Sequence, residues 1–251
     1  MLALFCCTIG EKGFFMIRKI TLTGADDSTD IGDMIDLSEK YPIIEWGILA
    51  SKTRMGMPRY PNQMWVSALC RAAKIHHLST SLHICGRWVR DISQGYWEPI
   101  ACNFTRDMIS SFDRIQINFG HRPIEIDLDS MAAGMSDKPV DFIIPVNGSP
   151  NDQVYYNLSR VYQNVAPFFD PSGGRGKSPS EWPQASMFGN IGLCGYAGGL
   201  SVDNLDQSIP LILKAAGSMD IWVDAESDFR TEEDFFDLKR AEEFVSRISK
   251  F

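Results

Sequence analysis

A histidine and a cysteine two residues apart are the first pattern in this sequence that could do chemistry. They are His83 and Cys85, at the end of a β-branched, apolar segment. In an extended strand, residues two apart project to the same face. On a shared face, the imidazole could act as a general base or lower the pKa of the thiol. The alternative is that both side chains are ordinary buried core, with the imidazole satisfied by hydrogen bonds.

Two glycine-rich runs have the composition of a phosphate-binding loop. Residues 173–177 follow Asp170, and residues 198–200 precede a predicted helix start at Asp203. Glycine lets backbone N–H groups approach a phosphate, and a helix N-terminus adds to the attraction. A tight turn is the alternative explanation for each run. On the phosphate interpretation the contacts come from Gly174, Gly198 and Gly199.

Basic residues gather in the segments that would follow strands. These segments hold nine of the 24 basic residues: Lys52, Arg54, Arg59, Arg87, Arg90, Arg122, Arg175, Lys177 and Arg230. In a chain with a net charge of −8, such clustering favours a small anionic ligand. Four acidic residues in the same segments oppose that attraction, and charged loops can also be simply solvated. The four are Asp26, Asp27, Glu226 and Asp228.

The elements that must position these residues alternate along the chain. Short apolar segments are followed by longer segments of helical period, which is the pattern of βαβ units in a parallel sheet. Eight strands are predicted, at residues 18–23, 43–50, 79–85, 114–119, 141–146, 165–170, 187–194 and 220–225. Helices are predicted at 29–40, 61–76, 105–111, 128–135, 150–164, 203–216 and 232–248. Eight such units in this length indicate a single (β/α)8 TIM barrel of the α/β class.

Length and composition limit the domain organisation and the classes of partner. Residues 16–251 are predicted to form the barrel domain, with residues 1–15 as an N-terminal extension dispensable for the fold. The excess of 32 acidic over 24 basic residues argues against a nucleic-acid binder. No apolar run approaches the roughly 18 residues of a membrane span, and no export signal is evident, so we expect a cytoplasmic protein. Six scattered cysteines indicate neither a disulfide framework nor a zinc site. No cofactor is predicted, and a monomer and a homodimer are both open.

The carboxyl ends of the strands are where a barrel carries its chemistry. The fourth strand places Gln116 and Asn118 on one inward face. Beyond it, Glu125, Asp127 and Asp129 alternate in an extended segment, and their carboxylates could bind magnesium or manganese. Such a run is more often a solvated edge. The prediction is therefore that no metal is bound.

Several short motifs, taken in chain order, resemble phosphoribosylanthranilate isomerase. That family is a single (β/α)8 barrel of tryptophan biosynthesis, and the resemblance runs from Ile17 through almost the whole chain. The motifs are Thr23-Gly24, Arg59-Tyr60, Gln116-Ile117-Asn118, Asp170 with the glycines that follow it, Gly198-Gly199-Leu200 and Val223-Asp224. The resemblance implies an Amadori rearrangement, in which an acid opens a sugar ring and a base removes the C2′ proton.

The resemblance implies a role for Asp170 and leaves the base in question. Asp170 stands at the position of the family's general acid, where burial would raise its pKa; capping of the following turn is the alternative. The family has a cysteine before the first-strand glycine, and here that residue is Thr23. Threonine is a poor base near neutral pH. Cys85 or His83 are the replacements to consider, followed by the acids after the first strand.

Substrate or phosphate binding is expected from residues around the same end of the barrel. In addition to the glycines, they are Arg59, Gln116, Asn118, Ser227 and Arg230. The family uses small hydroxyl residues and glycine after the eighth strand, whereas here two carboxylates flank Ser227. Either the glycines after the seventh strand and Arg230 hold a phosphate, or the ligand has none.

The sequence therefore predicts an isomerase, an intramolecular oxidoreductase, acting on a small anionic and phosphorylated sugar derivative by acid–base catalysis. The alternative is a barrel that has lost the reaction and binds an anionic small molecule such as a nucleotide or sugar phosphate. Fold alone does not choose between them, because one barrel supports many chemistries.

Overall fold

Each strand of this protein pairs in parallel with the next along the chain, and the eighth pairs with the first, so the sheet closes into a barrel. The computed structural model describes residues 17–101, 103–120, 123–136, 138, 140–171, 178–188 and 192–251. The predicted extension at residues 1–15 lies outside this range. The closed parallel barrel with interspersed helices confirms the predicted (β/α)8 fold class.

The strands are short and buried, as expected for a parallel sheet covered by helices. They are β1 (Ile17–Thr23), β2 (Ile44–Ser51), β3 (Ser79–Cys85), β4 (Arg114–Ile117), β5 (Asp141–Pro145), β6 (Val165–Phe169), β7 (Leu193–Tyr196) and β8 (Asp220–Ala225). The helices are α1 (Ile31–Lys40), α2 (Gln63–His76), α3 (Arg87–Ser93), α4 (Glu98–Ala101), α5 (Arg106–Ile109), α6 (Leu128–Ser136), α7 (Gln153–Leu158), α8 (Leu205–Ala216) and α9 (Leu238–Ile248).

Side-chain caps fix where several helices begin. The carboxylate of Asp30 accepts hydrogen bonds at the start of α1, Asn62 caps α2, and Asp237 caps α9. Each satisfies amide groups that have no partner within the helix. The prediction that the last helix begins at residue 232 is wrong, because Asp234 has a φ of 62° that a helix cannot accommodate.

Two further differences concern the connections between strands. The seventh strand was expected from residue 187 but begins at Leu193, because Ala185–Phe188 forms a 3-10 turn. The connection from β3 to β4 contains α3 and α4, neither of which the sequence pattern predicts. Both are short helices, and short apolar runs do not separate helix from strand by period.

The barrel interior is divided into an apolar half and a polar half. Strands β5–β8 contribute an apolar cluster of Ile143, Phe168, Ala197 and Trp222. Strands β1–β4 instead bury polar side chains, namely Thr21, Glu45, Ser81, Arg114 and Gln116. Barrel interiors are usually filled with branched apolar residues. The buried polar side chains of β1–β4 depart from that pattern, as does Asp224 on β8. Within the described residues, no helix is both long and apolar enough to cross a membrane.

Candidate active site

An open cavity of about 640 Å³ lies at the carboxyl ends of the strands. Ten of the residues predicted for the site line it: Thr23, Arg59, His83, Cys85, Gln116, Asn118, Asp170, Gly198, Gly199 and Ser227. Gly174 lies outside the described residues. Arg230 is described but is not part of the lining. The structure thus gathers residues from seven strands and their loops at one place, where barrel enzymes carry their active sites.

The floor of the cavity holds a hydrogen bond between β1 and β8. The hydroxyl of Thr23 donates to Oδ1 of Asp224 over 2.8 Å, and both side chains are almost fully buried. Burial raises the pKa of Asp224 well above its ordinary value, and the hydrogen bond from Thr23 only partly opposes this. Thr23 therefore acts here as a donor that orients a carboxyl group, and Asp224 is the titratable group of the pair.

A glycine on β2 makes room for this floor. A Cβ added at Gly47 would lie 2.2 Å from Oγ1 of Thr23 and 2.9 Å from Cε1 of His83. No side chain larger than hydrogen fits at such distances. Gly47 therefore lets Thr23 and His83 approach each other across the second strand.

Replacing Gly47 with alanine is expected to lower the free energy of unfolding by about 1–3 kcal/mol, because the new methyl group displaces the bonded Thr23 hydroxyl. This cost exceeds the ~0.5–1 kcal/mol that alanine gains over glycine within regular secondary structure. Urea unfolding measures the difference. Gly192→Ala is the matched control, since an added Cβ there meets no atom within 4 Å. Equal stability of the two variants would contradict the packing described.

Three carboxyl groups influence one another around the cavity. Asp224 lies on the floor, Glu226 follows β8, and Asp170 follows β6. Burial raises the pKa of Glu226 too, against the opposing effect of Arg59. The negative charges of Asp170 and Glu226 raise the pKa of Asp224 in addition to burial. Because ionised neighbours hinder its ionisation, Asp224 retains a proton more readily than an isolated carboxyl does.

His83 lies on the same floor and is neutral. Its side chain is 2% exposed, and burial lowers its pKa to about 4. Its Nε2 atom has no hydrogen-bond partner among the described residues. An imidazole with so low a pKa is a weak proton acceptor near pH 7.

Cys85 shares the face of His83, as the spacing of the two residues predicts, and it is held as a thiol. Asn118 Nδ2 lies 3.3 Å from its sulfur, and Gln116 in turn donates to the Asn118 side chain over 2.7 Å. Burial raises the pKa of Cys85 to about 11. The thiolate required of a base or nucleophile is therefore scarce at neutral pH. Gln116 and Asn118 form a polar wall with one unpartnered oxygen, Oε1 of Gln116, among the described residues.

Arg59 reaches the cavity with its charge already paired. Its Nη1 lies 3.0 Å from Glu226 and its Nε lies 3.0 Å from Asp234, while its backbone N–H donates to Asp26 over 2.6 Å. The side chain is 31% exposed. A substrate anion must therefore compete with Glu226 and Asp234 for this guanidinium.

Arg230 joins the loop after β8 to the loop after β1. Its guanidinium contacts Asp26 and Asp234 at 3.0 Å each and donates to the carbonyl oxygen of Gly24 over 2.7 Å. Its side chain is only 4% exposed. The sequence predicts that Arg230 contacts a phosphate in the cavity. In the structure its guanidinium donates instead to Asp26, Asp234 and the carbonyl oxygen of Gly24. Its position three residues beyond Ser227 gave no indication of this burial.

The amides after β7 are arranged as an anion-binding turn. Gly198 and Gly199 have φ angles of 119° and 60°, which only glycine adopts readily. Their backbone N–H groups have no acceptor among the described residues. The carboxylate of Asp228 is turned away, accepting from the Val202 amide over 2.8 Å and pairing with Arg240. Of the two acids that flank Ser227, Asp228 is therefore neutralised by Arg240.

Three residues of the cavity lining, Asp224, Glu226 and Arg54, are not among the catalytic and binding residues expected from the sequence. Asp224 and Glu226 continue the inward alternation of β8, and that period-two pattern was the available signal. Arg54 lines the rim with its guanidinium 5.4 Å from the ring centroid of Tyr60, and it pairs with no described carboxylate.

The acidic run after β4 takes part in helix capping. The carboxylate of Asp127 accepts hydrogen bonds from the backbone N–H and the hydroxyl of Ser130 at the start of α6. Among the described residues, no group of three or more histidine, cysteine or acidic side chains is placed to hold a metal ion. The alternative of a site at Glu125, Asp127 and Asp129 gains no support from these contacts.

Comparisons with known proteins find a shared fold. The chain matches no protein-family model, and no curated protein matches it significantly in sequence. Phosphoribosyl anthranilate isomerase from Thermus thermophilus is similar in structure, with a TM-score of 0.56 and 13% identity, over 92% of this chain and 98% of that one. A truncated 3-deoxy-D-arabino-heptulosonate 7-phosphate synthase from Thermotoga maritima has a TM-score of 0.56 and 10% identity, over 97% of this chain and 90% of that one. D-psicose 3-epimerase from Clostridium cellulolyticum H10 has a TM-score of 0.52 and 12% identity, over 92% of this chain and 98% of that one.

These likenesses extend over nearly whole chains and show the barrel fold. At such low identity they do not carry a substrate or an activity to this protein. The resemblance to the isomerase family thus holds at the level of the fold, and the chemistry must be argued from the cavity.

Proposed function

We propose that this protein is an isomerase that moves a proton within a small sugar derivative, and that it holds an anionic group, a phosphate, at the amides after β7. The observation that carries the proposal is that three carboxyl side chains, Asp224, Glu226 and Asp170, line one cavity. Isomerisation needs an acid and a base in different protonation states on one substrate.

Burial separates the two roles. Asp224 is buried, its pKa is raised, and it holds a proton that it can donate to a substrate oxygen. Asp170 is half-buried in the cavity wall, and we assign to it the removal of the proton from carbon. This assignment exchanges the acid role of Asp170, implied by the family resemblance, for that of a base. Thr23 orients the acid through its 2.8 Å hydrogen bond.

The anionic end of the substrate would bind after β7, between the strand ends that carry Asp170 and Asp224. The amides of Gly198 and Gly199 have no acceptor among the described residues and offer donors suited to a phosphate. Ser227 lies at the start of a 3-10 turn beside them and is exposed. Arg54 supplies positive charge at the rim. Together they support a ligand with a polyol body and an anionic tail.

Replacing Asp170 with asparagine tests the proposed base. Wild-type protein is incubated with aldose 5-phosphates, ketose 5-phosphates and N-aryl aminoaldose 5-phosphates, and conversion is followed by proton NMR. The Asp170→Asn variant is expected to lose at least about 100-fold in rate, the usual contribution of a general base. Asp36→Asn, an exposed acid on α1, is the control and should keep the wild-type rate. Retained turnover in Asp170→Asn would remove this residue from the mechanism.

A binding barrel without a reaction is the second candidate, and Thr23 favours it. A threonine that donates to a carboxyl has replaced the cysteine implied by the resemblance, and Cys85 remains a thiol. On this reading, phosphosugars or nucleotides raise the melting temperature but stay chemically unchanged over hours. Conversion of any of them would exclude this candidate.

A further inference from the structure

His83 carries a buried ring nitrogen without a partner in the described part of the chain and lies in the lining of the cavity. Its side chain lines the cavity, yet Nε2 is buried and has no hydrogen-bond partner among the described residues. A buried polar atom left without a partner is costly, and native structures rarely keep one. Its place in the lining indicates that a substrate atom completes its bonding.

The surroundings of His83 keep the imidazole uncharged. The charged groups that act on His83 are Glu45 on β2 and Arg114 on β4. The titratable groups that share its cavity include Cys85 on β3, Asp224 on β8 and Glu226 after β8. Glu45 is the carboxylate that would favour an imidazolium. It is occupied by two hydrogen bonds from Arg114 and one from Thr21 at 2.9 Å.

Arg114 is held close below His83 and adds positive charge. It pairs with Glu45 on one side and lies 4.3 Å from the ring centroid of Trp222 on the other. In the sheet, Arg114 is the register partner of Ser81, and Gln116 is the partner of His83, so the guanidinium and imidazole belong to adjacent inward positions. A second cation at this point is unfavourable, and burial lowers the pKa of His83 in the same direction.

We propose that His83 works as a neutral hydrogen-bond donor, with its Nε2–H bound to the carbonyl oxygen of an α-hydroxycarbonyl sugar. This inference rests on the proposed function and narrows its substrate class. When Asp170 takes the proton from C2, the C–H electron pair forms the C1–C2 double bond and the carbonyl π electrons move onto oxygen. His83 stabilises that oxygen and keeps its own proton, while Asp224 supplies the proton that neutralises it.

The variants His83→Gln and His83→Ala distinguish a neutral hydrogen-bond donor from a general base. Glutamine offers an N–H at similar reach and cannot titrate, whereas alanine offers nothing. We expect His83→Ala to lose about 100-fold or more in turnover and His83→Gln to stay within about tenfold of wild type. His76→Gln, on the exposed end of α2, is the control and should match wild type. A loss in His83→Gln as large as in His83→Ala would overturn the proposal.

Nitrogen NMR of the free protein tests the same inference without any substrate. The chain has four histidines, so the His83 signals are assigned by comparison with the His83→Gln spectrum. The expected spectrum shows a neutral ring with its proton on Nε2 and unchanged shifts from pH 8 to pH 5. Titration within that range, or a proton on Nδ1 alone, would overturn the proposal. If wild type converts no probe, the proposed function fails, and this spectrum still decides the state of His83.

Discussion

Replacing Asp224 with asparagine is expected to lower the rate of proton transfer by about 10²–10⁴-fold, the range that general acid–base groups contribute. Asparagine keeps an oxygen that can accept from Thr23, whose hydroxyl lies 2.8 Å from the present carboxylate. It has no proton of comparable acidity to donate. The variant should therefore bind ligands with little change in affinity while turnover is lost.

The same replacement is expected to leave the protein at least as stable at pH 7. Burial raises the pKa of Asp224 in the folded protein, so the folded state binds this proton more tightly than the unfolded chain does. Stability from this group is complete below the unfolded pKa of about 3.9 and is lost as the pH rises toward the folded pKa. The Asp224→Asn variant escapes that loss, so its advantage over wild type should grow with pH above about 4.

Thermal unfolding at several pH values, with turnover measured on the same samples, checks both parts. The combination of lost activity with retained or increased melting temperature is what distinguishes a functional carboxyl from a structural one. A variant that keeps wild-type turnover, or one that unfolds at pH 7, would contradict the role given to Asp224.

Replacing Arg114 with methionine is expected to destabilise the protein by about 3–5 kcal/mol, because it leaves the buried carboxylate of Glu45 without its partner. Both side chains are almost fully buried, and Nε of Arg114 lies 2.8 Å from Oε2 of Glu45. Lys19, at 3.8 Å from the same carboxylate, is too distant to replace both lost hydrogen bonds. Urea unfolding at pH 7 measures the loss.

The double variant Glu45→Gln/Arg114→Met should recover roughly half or more of that loss, because no charge is left buried and unpaired. Arg247→Met serves as the control, since its pair with Asp206 at 2.6 Å is largely exposed and is expected to contribute at most about 1 kcal/mol. Equal destabilisation by the Arg114 and Arg247 variants would show that the interior pair is not what holds this part of the barrel.

The fold was predictable because its signals are local and repeated. Eight buried strands separated by helical segments appear directly in the hydrophobic pattern, and the β3 and β8 boundaries agree with the prediction. The prediction that His83 and Cys85 share one face, and that Gln116 and Asn118 share another, was also possible because side chains alternate strictly along a strand. All four residues line the cavity. The start of β7 was predicted wrongly because the 3-10 turn Ala185–Phe188 has no strong hydrophobic periodicity of its own.

The chemistry of the site was only partly predictable, because it depends on contacts distant in sequence. Arg59 and Arg230 look alike as loop cations, yet one lies at the rim and the other is buried among acids. The role of Asp224 comes from burial and from its pairing with Thr23, which lies 201 residues away. The need for glycine at position 47 likewise follows from side chains on two neighbouring strands.

Deuterium incorporation in heavy water tests the central claim most directly. Wild-type protein is incubated in D2O with the aldose and ketose 5-phosphates, and C1 and C2 are examined by NMR and mass spectrometry. We predict that one deuterium enters at C1 of the ketose and at C2 of the aldose, since a carboxylate that takes the proton exchanges it with solvent. We predict no incorporation above background with Asp224→Asn. An aldose phosphate that binds wild-type protein and keeps its C2 proton through hours of incubation would contradict the account.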